Sequence, residues 1–221
     1  DWIEETGQDV VTIGELNYSK ATANPIRVVL AWSGASPFER PEDLPPGCRV
    51  STEYPELTRR YLDSKGVKAE ILLSYGATEA KVPEIADAVV EITETGRALA
   101  AAGLRILDTI LVSRTELVAN PQAAADPVRR HAMGQIYTLL QGVLEARQNV
   151  LLKMNVAAGD LEAVISALPA MRAPTVSSLF GQDAFALETV VAKAEVNTLI
   201  PHLVDCGATD IIELPIAKIV R

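Results

Sequence analysis

The sequence predicts an α/β unit followed by a small ferredoxin-like module, on three observations. Up to about residue 112, short apolar runs alternate with helical patterns, which calls for a largely parallel sheet covered by helices. After residue 148 the order changes to βαββαβ. At 221 residues the chain also exceeds the usual size of one domain, so two compact units are expected.

The elements follow in order. Within residues 1 to 25 only "DVVTIGEL" suggests a strand, whereas "IRVVLAWS" (26–33) reads as a buried one, followed by the proline-rich loop "SPFERPEDLPPG". "CRVST" is a further strand. In "YPELTRRYLDSKG", Pro55 suits a helix start, Leu57, Tyr61 and Leu62 form a stripe, and Gly66 ends the helix. "AEILLS" is a strand leading into "YGATEAKVPEIA", a glycine turn with a helical pattern after it; "DAVVEI" is a strand, "TGRALAAAG" a helix and "LRILDTILV" a strand. Residues 126–148 carry the longest helical pattern, with Val128, Ala132, Ile136, Leu139, Leu140 and Val143 on one stripe, and read as a packing helix.

In the last 72 residues, Val150, Leu152, Met154 and Val156 alternate as in a half-buried strand. Leu161, Val164, Ile165 and Leu168 then fall at helical spacing. "PTVSSLF" and "AFALETVV" are strands around the turn "GQD", Val196, Leu199, Ile200 and Leu203 mark a helix that Pro201 is expected to kink, and "DIIELPI" is the last strand. A sandwich of this size suits effector binding or assembly before catalysis.

Composition excludes several functions. A net charge of −9 offers no basic face for nucleic acid, although a local nest of amides can still hold a small anion. No apolar run reaches membrane-spanning length and no signal-type start is present, so a cytoplasmic protein is expected. Cys48 and Cys206 lack metal-type spacing and read as idle thiols, while His131 and His202 have no sequence partner for a triad or a metal site. The chemistry expected is therefore positioning and electrostatics.

Two stretches suit that style. In "EITETGRALAAAG" (91–103) a strand ends at Glu91, and Thr93, Thr95 and Gly96 offer hydroxyls and amides at a helix start, with Arg97 adding positive charge. The stretch reads equally as an ordinary helix cap or as a phosphate cradle; it lacks the Gly-Lys-Ser/Thr of a P-loop. In "SYGATEAKV", Gly76 permits an unusual turn, Thr78 a helix cap, and Glu79 is either a solvated first-turn carboxylate or part of the same site. Both loops follow strands of one sheet and are expected at its carboxyl-terminal edge.

"STEYPELTRRYLDSKG", "YGATEAKVPEIADAVVEITETGRALAAAGLRILDT" and "LLKMNV…APTVSSLF…GATDIIELPIAKIV" together resemble the long form of the ATP phosphoribosyltransferase family, over essentially the whole chain. The resemblance implies periplasmic-binding-protein-like (type II) catalytic lobes and a ferredoxin-like C-terminal regulatory domain. It assigns residues 1–25 and 113–148 to the remnant of lobe I, 26–112 to lobe II and 149–221 to the histidine-binding domain. It implies transfer of the phosphoribosyl group of phosphoribosyl pyrophosphate (PRPP) to N1 of ATP, with Mg2+, feedback inhibition by histidine, and homo-oligomers from dimer to hexamer. Carried onto this sequence, Glu91, Thr93, Thr95, Gly96 and Arg97 would bind PRPP, Tyr54, Gly76 and Glu79 the nucleotide, and Asn155 and Thr175 the effector; catalytic residues and metal ligands are not assigned.

Relatives often carry aspartate at the position of Glu91 and threonine at that of Ala98, so one phosphate donor is missing here. The family's N-terminal segment, with its strand, Lys-Gly turn and arginines, has no counterpart before Asp1. The expectation is a truncated or processed enzyme with weak or no catalysis by this chain alone. The competing reading is a non-catalytic regulatory fragment that binds histidine or a nucleotide.

Overall fold

Strands form where the apolar runs lie. In the computed structural model, which describes residues 1–18, 25–169 and 173–221, a short helix α1 (Trp2–Thr6) precedes β1 (Val11–Leu16) and β2 (Ile26–Ser33). Then follow β3 (Cys48–Thr52), α2 (Pro55–Ser64), β4 (Ala69–Leu73), β5 (Ala88–Thr93), α3 (Arg97–Ala101) and β6 (Leu104–Ser113). Next come β7 (Thr115–Ala119), α4 (Pro121–Ala125) and the long α5 (Pro127–Arg147). The chain divides into two units, Asp1–His131 and Ala132–Arg221.

In the first unit the main sheet has the order β4-β3-β5-β2-β6. β3 is parallel to β4 and β5, and β2 is antiparallel to β5 and β6, so β4, β3, β5 and β6 run one way and β2 the other. The expected sheet is largely parallel in direction, but the reversed β2 makes it mixed. The alternation of strands and helices did not reveal this, because the direction of a strand depends on the partners it pairs with and not on its own apolar pattern. A reversed strand inserted before the last of a parallel series is the arrangement of a type II periplasmic-binding-protein lobe. β1 and β7, the latter not anticipated, pair antiparallel in a separate two-stranded sheet.

Both faces of the main sheet are covered. Val28, Leu30, Val50 and Val90 pack with Leu57 and Leu62 of α2 on one side. Val29, Ala31 and Val89 pack with Leu99 of α3 on the other. Each fully buried aliphatic side chain contributes about 1.5–3 kcal/mol. This is why the sheet's edges, and not its faces, are left for function.

Two helical expectations are corrected. The pattern after Gly76 forms only a single 3-10 turn, Thr78–Lys81, because Pro83 lacks the amide a longer helix needs. The stripe of α5 is not packed: Val128 is 79%, Ile136 53% and Leu139 49% exposed in this chain. The residues α5 buries are the small Gly142 and Ala146. There the C-terminal segment crosses the helix, with the Ile219 amide donating to the Gly142 carbonyl at 2.9 Å and Arg221 pairing with Glu145 at 2.5 Å.

The second unit continues through β8 (Asn149–Ala157), α6 (Leu161–Ala167), β9 (Thr175–Ser178), β10 (Ala184–Ala192), α7 (Val196–Asp205) and β11 (Ala208–Pro215). The four strands form an antiparallel sheet of order β11-β8-β10-β9, the ferredoxin-like order expected from βαββαβ. Leu152, Met154 and Leu187 pack with Val164 of α6 and Leu203 of α7. α7 runs on through Pro201.

Candidate functional site

The parallel register sets Thr52 of β3 level with Leu73 of β4 and Val90 of β5. The next residues, Glu53 and Glu91, therefore emerge side by side at the carboxyl-terminal edge of the sheet. Glu79, on the loop after β4, lies close enough for its charge to act on Glu91. The two loops singled out in the sequence thus meet at one edge.

Glu91 is half-buried, with one carboxylate oxygen accepting the Ile92 amide at 2.9 Å. Burial, reinforced by the charges of Glu53 and Glu79, raises its pKa above the ordinary glutamate value. The Ile92 amide and the nearby Thr78 hydroxyl oppose that rise. The sequence expects Thr78 to cap a helix; instead its fully buried Oγ1 faces Glu91, near enough to favour the carboxylate but, among the described residues, outside full hydrogen-bond geometry with any partner. A buried hydroxyl left unpaired costs about 1–3 kcal/mol. Such a group is spared where it is needed for something else.

The loop after Glu91 is closed on itself. The Gly96 amide donates to Thr93 Oγ1 at 2.7 Å, and the Arg97 amide approaches Thr95 Oγ1 at 3.5 Å. Gly96 has φ +75°, a conformation that disfavours any side chain, and it leads into α3, which is only five residues long. So short a helix adds little dipole; anion binding here has to rest on the loop's own amides and hydroxyls. Thr95 and Arg97 are exposed.

On the loop after β4, Gly76 has φ +69° and its amide donates to Glu53 Oε1 at 2.8 Å. Lys81 reaches back to the Ser74 hydroxyl. Tyr54 is different in kind. It is 2% exposed, packs in the core beside Leu57, sits 5.2 Å from the Trp2 ring and donates to Asp1 at 3.3 Å. Burial, with the charges of Glu53, Glu91 and Glu5, pushes its phenol up to about 12. Tyr54 supports the edge from beneath instead of presenting a ring to a ligand.

Asn155 and Thr175 lie in the second unit. In register, Asn155 faces Ala186 of β10, and Thr175 faces Glu188 two residues along, so both occupy the sheet face opposite its helices. Asn155 donates to Asp210 at 2.9 Å, across the irregularity where Asp210 takes φ +50°. Thr175 borders a cavity of about 290 Å3, together with Leu151, Glu188, Val190 and Arg221. A larger cavity of about 460 Å3 lies in the first unit, lined by Ile26 and Ser113 at the strand ends beside Thr93 and by Trp2, Tyr18 and Glu116.

Among the described residues no three His, Cys, Asp or Glu side chains converge as metal ligands. His131 and His202 are both exposed. The carboxylates at the edge are nevertheless hard oxygen donors of the kind Mg2+ takes one or two of when substrate phosphates supply the rest. Sequence reasoning missed Glu53, which only the register of β3 beside β5 brings to Glu91, and gave Thr78, inside the "SYGATEAKV" stretch, the task of a helix cap.

Two family models match the chain: "ATP phosphoribosyltransferase" over residues 1–142 and "HisG, C-terminal domain" over residues 146–218. The ATP phosphoribosyltransferase of Nitratidesulfovibrio vulgaris (strain DSM 19637 / Miyazaki F) is 48% identical over 221 residues, all of this chain and 75% of that protein. That of Desulforudis audaxviator is 47% identical over 220 residues, covering 100% of this chain and 76% of that protein. Among solved structures, an ATP phosphoribosyl transferase (HisG:HisZ) complex from Thermotoga maritima aligns with a TM-score of 0.54 and 32% identity, over 65% of this chain and 66% of that one. The chain therefore belongs to the ATP phosphoribosyltransferase family, the phosphoribosyl-transferring enzymes of the first step of histidine biosynthesis.

Proposed function

We propose that the edge formed by Glu53, Glu79, Glu91 and the Thr93–Arg97 loop binds PRPP and presents its anomeric carbon to ATP. Thr93, Thr95, Gly96 and Arg97 hold the 5′-phosphate, and Glu91 accepts from the ribose hydroxyls. Gly76 and Glu79 border the nucleotide, over Tyr54. The observation that carries this reading is a half-buried, charge-crowded Glu91 faced by a buried Thr78 hydroxyl that is not in full hydrogen-bond geometry, beside a positive-φ glycine loop.

The reaction forms a bond between adenine N1 and ribose C1 and breaks the bond from C1 to the pyrophosphate oxygen, whose electron pair leaves with the pyrophosphate. The transition state is oxocarbenium-like, so the chain's task is orientation and charge stabilisation, and no nucleophilic side chain is required. Glu91, held close to the ribose, stabilises positive charge developing on C1. The Glu53, Glu79 and Glu91 carboxylates would help to hold Mg2+ against the substrate phosphates, and the ion would supply charge neutralisation for the leaving pyrophosphate.

Residues 1–25 and 113–148 belong in this reading to lobe I, 26–112 to lobe II and 149–221 to a domain that senses histidine through Asn155 and Thr175. The assembly is a homo-oligomer between dimer and hexamer, and the enzyme works in the cytoplasm, where ATP and PRPP are made. Titration calorimetry tests both halves: Gly96→Val should lose PRPP affinity by tenfold or more, on the order of one charge-assisted hydrogen bond, while histidine binding persists. Unchanged PRPP affinity in that variant would sink the cradle assignment.

A further inference from the structure

Arg27 opens β2 and is the ladder partner of Thr93 on β5. Directly opposed residues of an antiparallel pair project to the same face with Cβ atoms about 4.5–5.5 Å apart. Which face is fixed independently: Val29 and Ala31, further along β2, pack with Val89 of β5 and Leu99 of α3. Residues two apart share a side, so Arg27, Thr93 and Glu91 all lie on the side that carries α3 and the buried Thr78. Arg27 is half-buried, and among the described residues it makes no hydrogen bond or ion pair. A guanidinium drawn partly out of water gains most from a charged, hydrogen-bonding partner.

The charges at this edge show what kind of partner is missing. Glu53, Glu79 and Glu91 are all acidic, and their mutual repulsion contributes to the raised pKa of Glu91. Of the nearby cations, Lys81 is engaged by Ser74 and Arg97 points into solvent. A phosphate ester brought to Thr93 and Gly96 would meet three carboxylates, against which stand only the exposed Arg97 and Lys81, whose ammonium is held at Ser74. A planar guanidinium one strand away, with its fork unused, supplies the compensating charge and the bidentate geometry a phosphate takes.

We propose that Arg27 is a substrate-binding residue whose guanidinium donates to a phosphate group of the phosphoribosyl substrate. The assignment rests on the reading of this edge given above and adds to it the cation that balances Glu91. The test is titration calorimetry of the full chain with PRPP and with ribose 5-phosphate, using Arg27→Gln, Arg27→Lys and Gly96→Val. Arg27→Gln is expected to weaken binding by about tenfold or more and to make it less sensitive to salt, and Arg27→Lys to recover part of the loss. Loss with both ligands places the contact at the 5′-phosphate; loss with PRPP alone places it at the pyrophosphate. Either upholds the proposal.

If Gly96→Val loses affinity while Arg27→Gln binds within twofold of the unaltered chain, the Arg27 assignment falls and the loop reading stands. If the unaltered chain binds neither ligand, or no variant changes affinity, both fall together. Thermal unfolding of each variant accompanies the titrations. Should Arg27→Gln not fold, Arg27→Lys decides: a loss of threefold or more supports the phosphate contact, and unchanged affinity overturns it.

Discussion

The Gly96 amide donates to the Thr93 hydroxyl at 2.7 Å, so in the free protein the loop satisfies itself as a helix cap would. Cap and cradle are thus two states of one set of donors. Thr93→Val removes the acceptor and leaves the amide to solvent or to a ligand. The expected cost is about 1 kcal/mol of stability, read as a lower urea midpoint at unchanged m. PRPP affinity should fall as well; a variant with weaker stability but undiminished affinity would confine Thr93 to capping.

Glu91→Gln should stabilise the protein at neutral pH. The folded-state pKa of Glu91 is raised, first by burial and then by Glu53 and Glu79. A carboxyl of that kind favours folding below its unfolded pKa of about 4.3, and the favour is lost as pH rises through the higher folded pKa. The gain from Gln should therefore appear at pH 7 and vanish near pH 4 in thermal unfolding. A gain equal at both pH values would show that its origin is not the charge. Lower PRPP affinity alongside greater stability is the trade-off expected of a functional carboxylate.

The two faces of the main sheet were legible because burial writes itself into runs such as "IRVVLAWS" and "DAVVEI", and the βαββαβ order was legible from periodicity alone. The reversal of β2 was not, since strand direction depends on the pairing partner. The α5 stripe misled for a related reason: apolar spacing indicates that a face can be covered, and not that this chain covers it. At the site, Glu91 and Gly96 stood out through local chemistry. Arg27 and Glu53 did not, because each reaches Glu91 only through register across a ladder.

Tyr54 gives a prediction that separates support from contact. Its phenol is pushed up to about 12, chiefly by burial. A tyrosine with a raised folded pKa contributes stability below the unfolded value of about 10 and loses it as pH climbs towards the folded one. In an ultraviolet titration two tyrosines should stay neutral past pH 11, Tyr54 and Tyr61, the latter pushed up by burial and its bond to Asp108; Tyr54→Phe should remove one of the two, and stability should decline over the interval in which Tyr54 ionises. Tyr54→Phe, which gives up a single long hydrogen bond to Asp1, should cost less than about 1 kcal/mol, whereas Tyr54→Ala should cost about 3–5 kcal/mol. A direct role in nucleotide binding would instead show as lost ATP affinity in the Phe variant at unchanged stability.

Gly142 is where α5 admits the C-terminal segment. A Cβ there would stand 2.9 Å from the Ile219 carbonyl oxygen and 3.1 Å from the Val220 side chain, and the first of these is backbone that cannot swing aside. In a helix interior alanine is favoured over glycine by about 1 kcal/mol, so Gly142→Ala would be stabilising if the segment were not there. Because it is, the substitution should displace the segment and break the Ile219-to-Gly142 hydrogen bond and the Arg221–Glu145 ion pair. The exposed part of that pair contributes little, roughly 0–1 kcal/mol, so the loss comes mainly from the hydrogen bond and the uncovered small-residue face. Hydrogen exchange gives the sharpest reading: the Ile219 amide should exchange faster in Gly142→Ala, while the amides of β8 and β10 keep their protection. Slow exchange at Ile219 together with a raised melting temperature would mean that the segment adjusts to the methyl group. In that case the close approach at Gly142 would not be what holds the segment to α5.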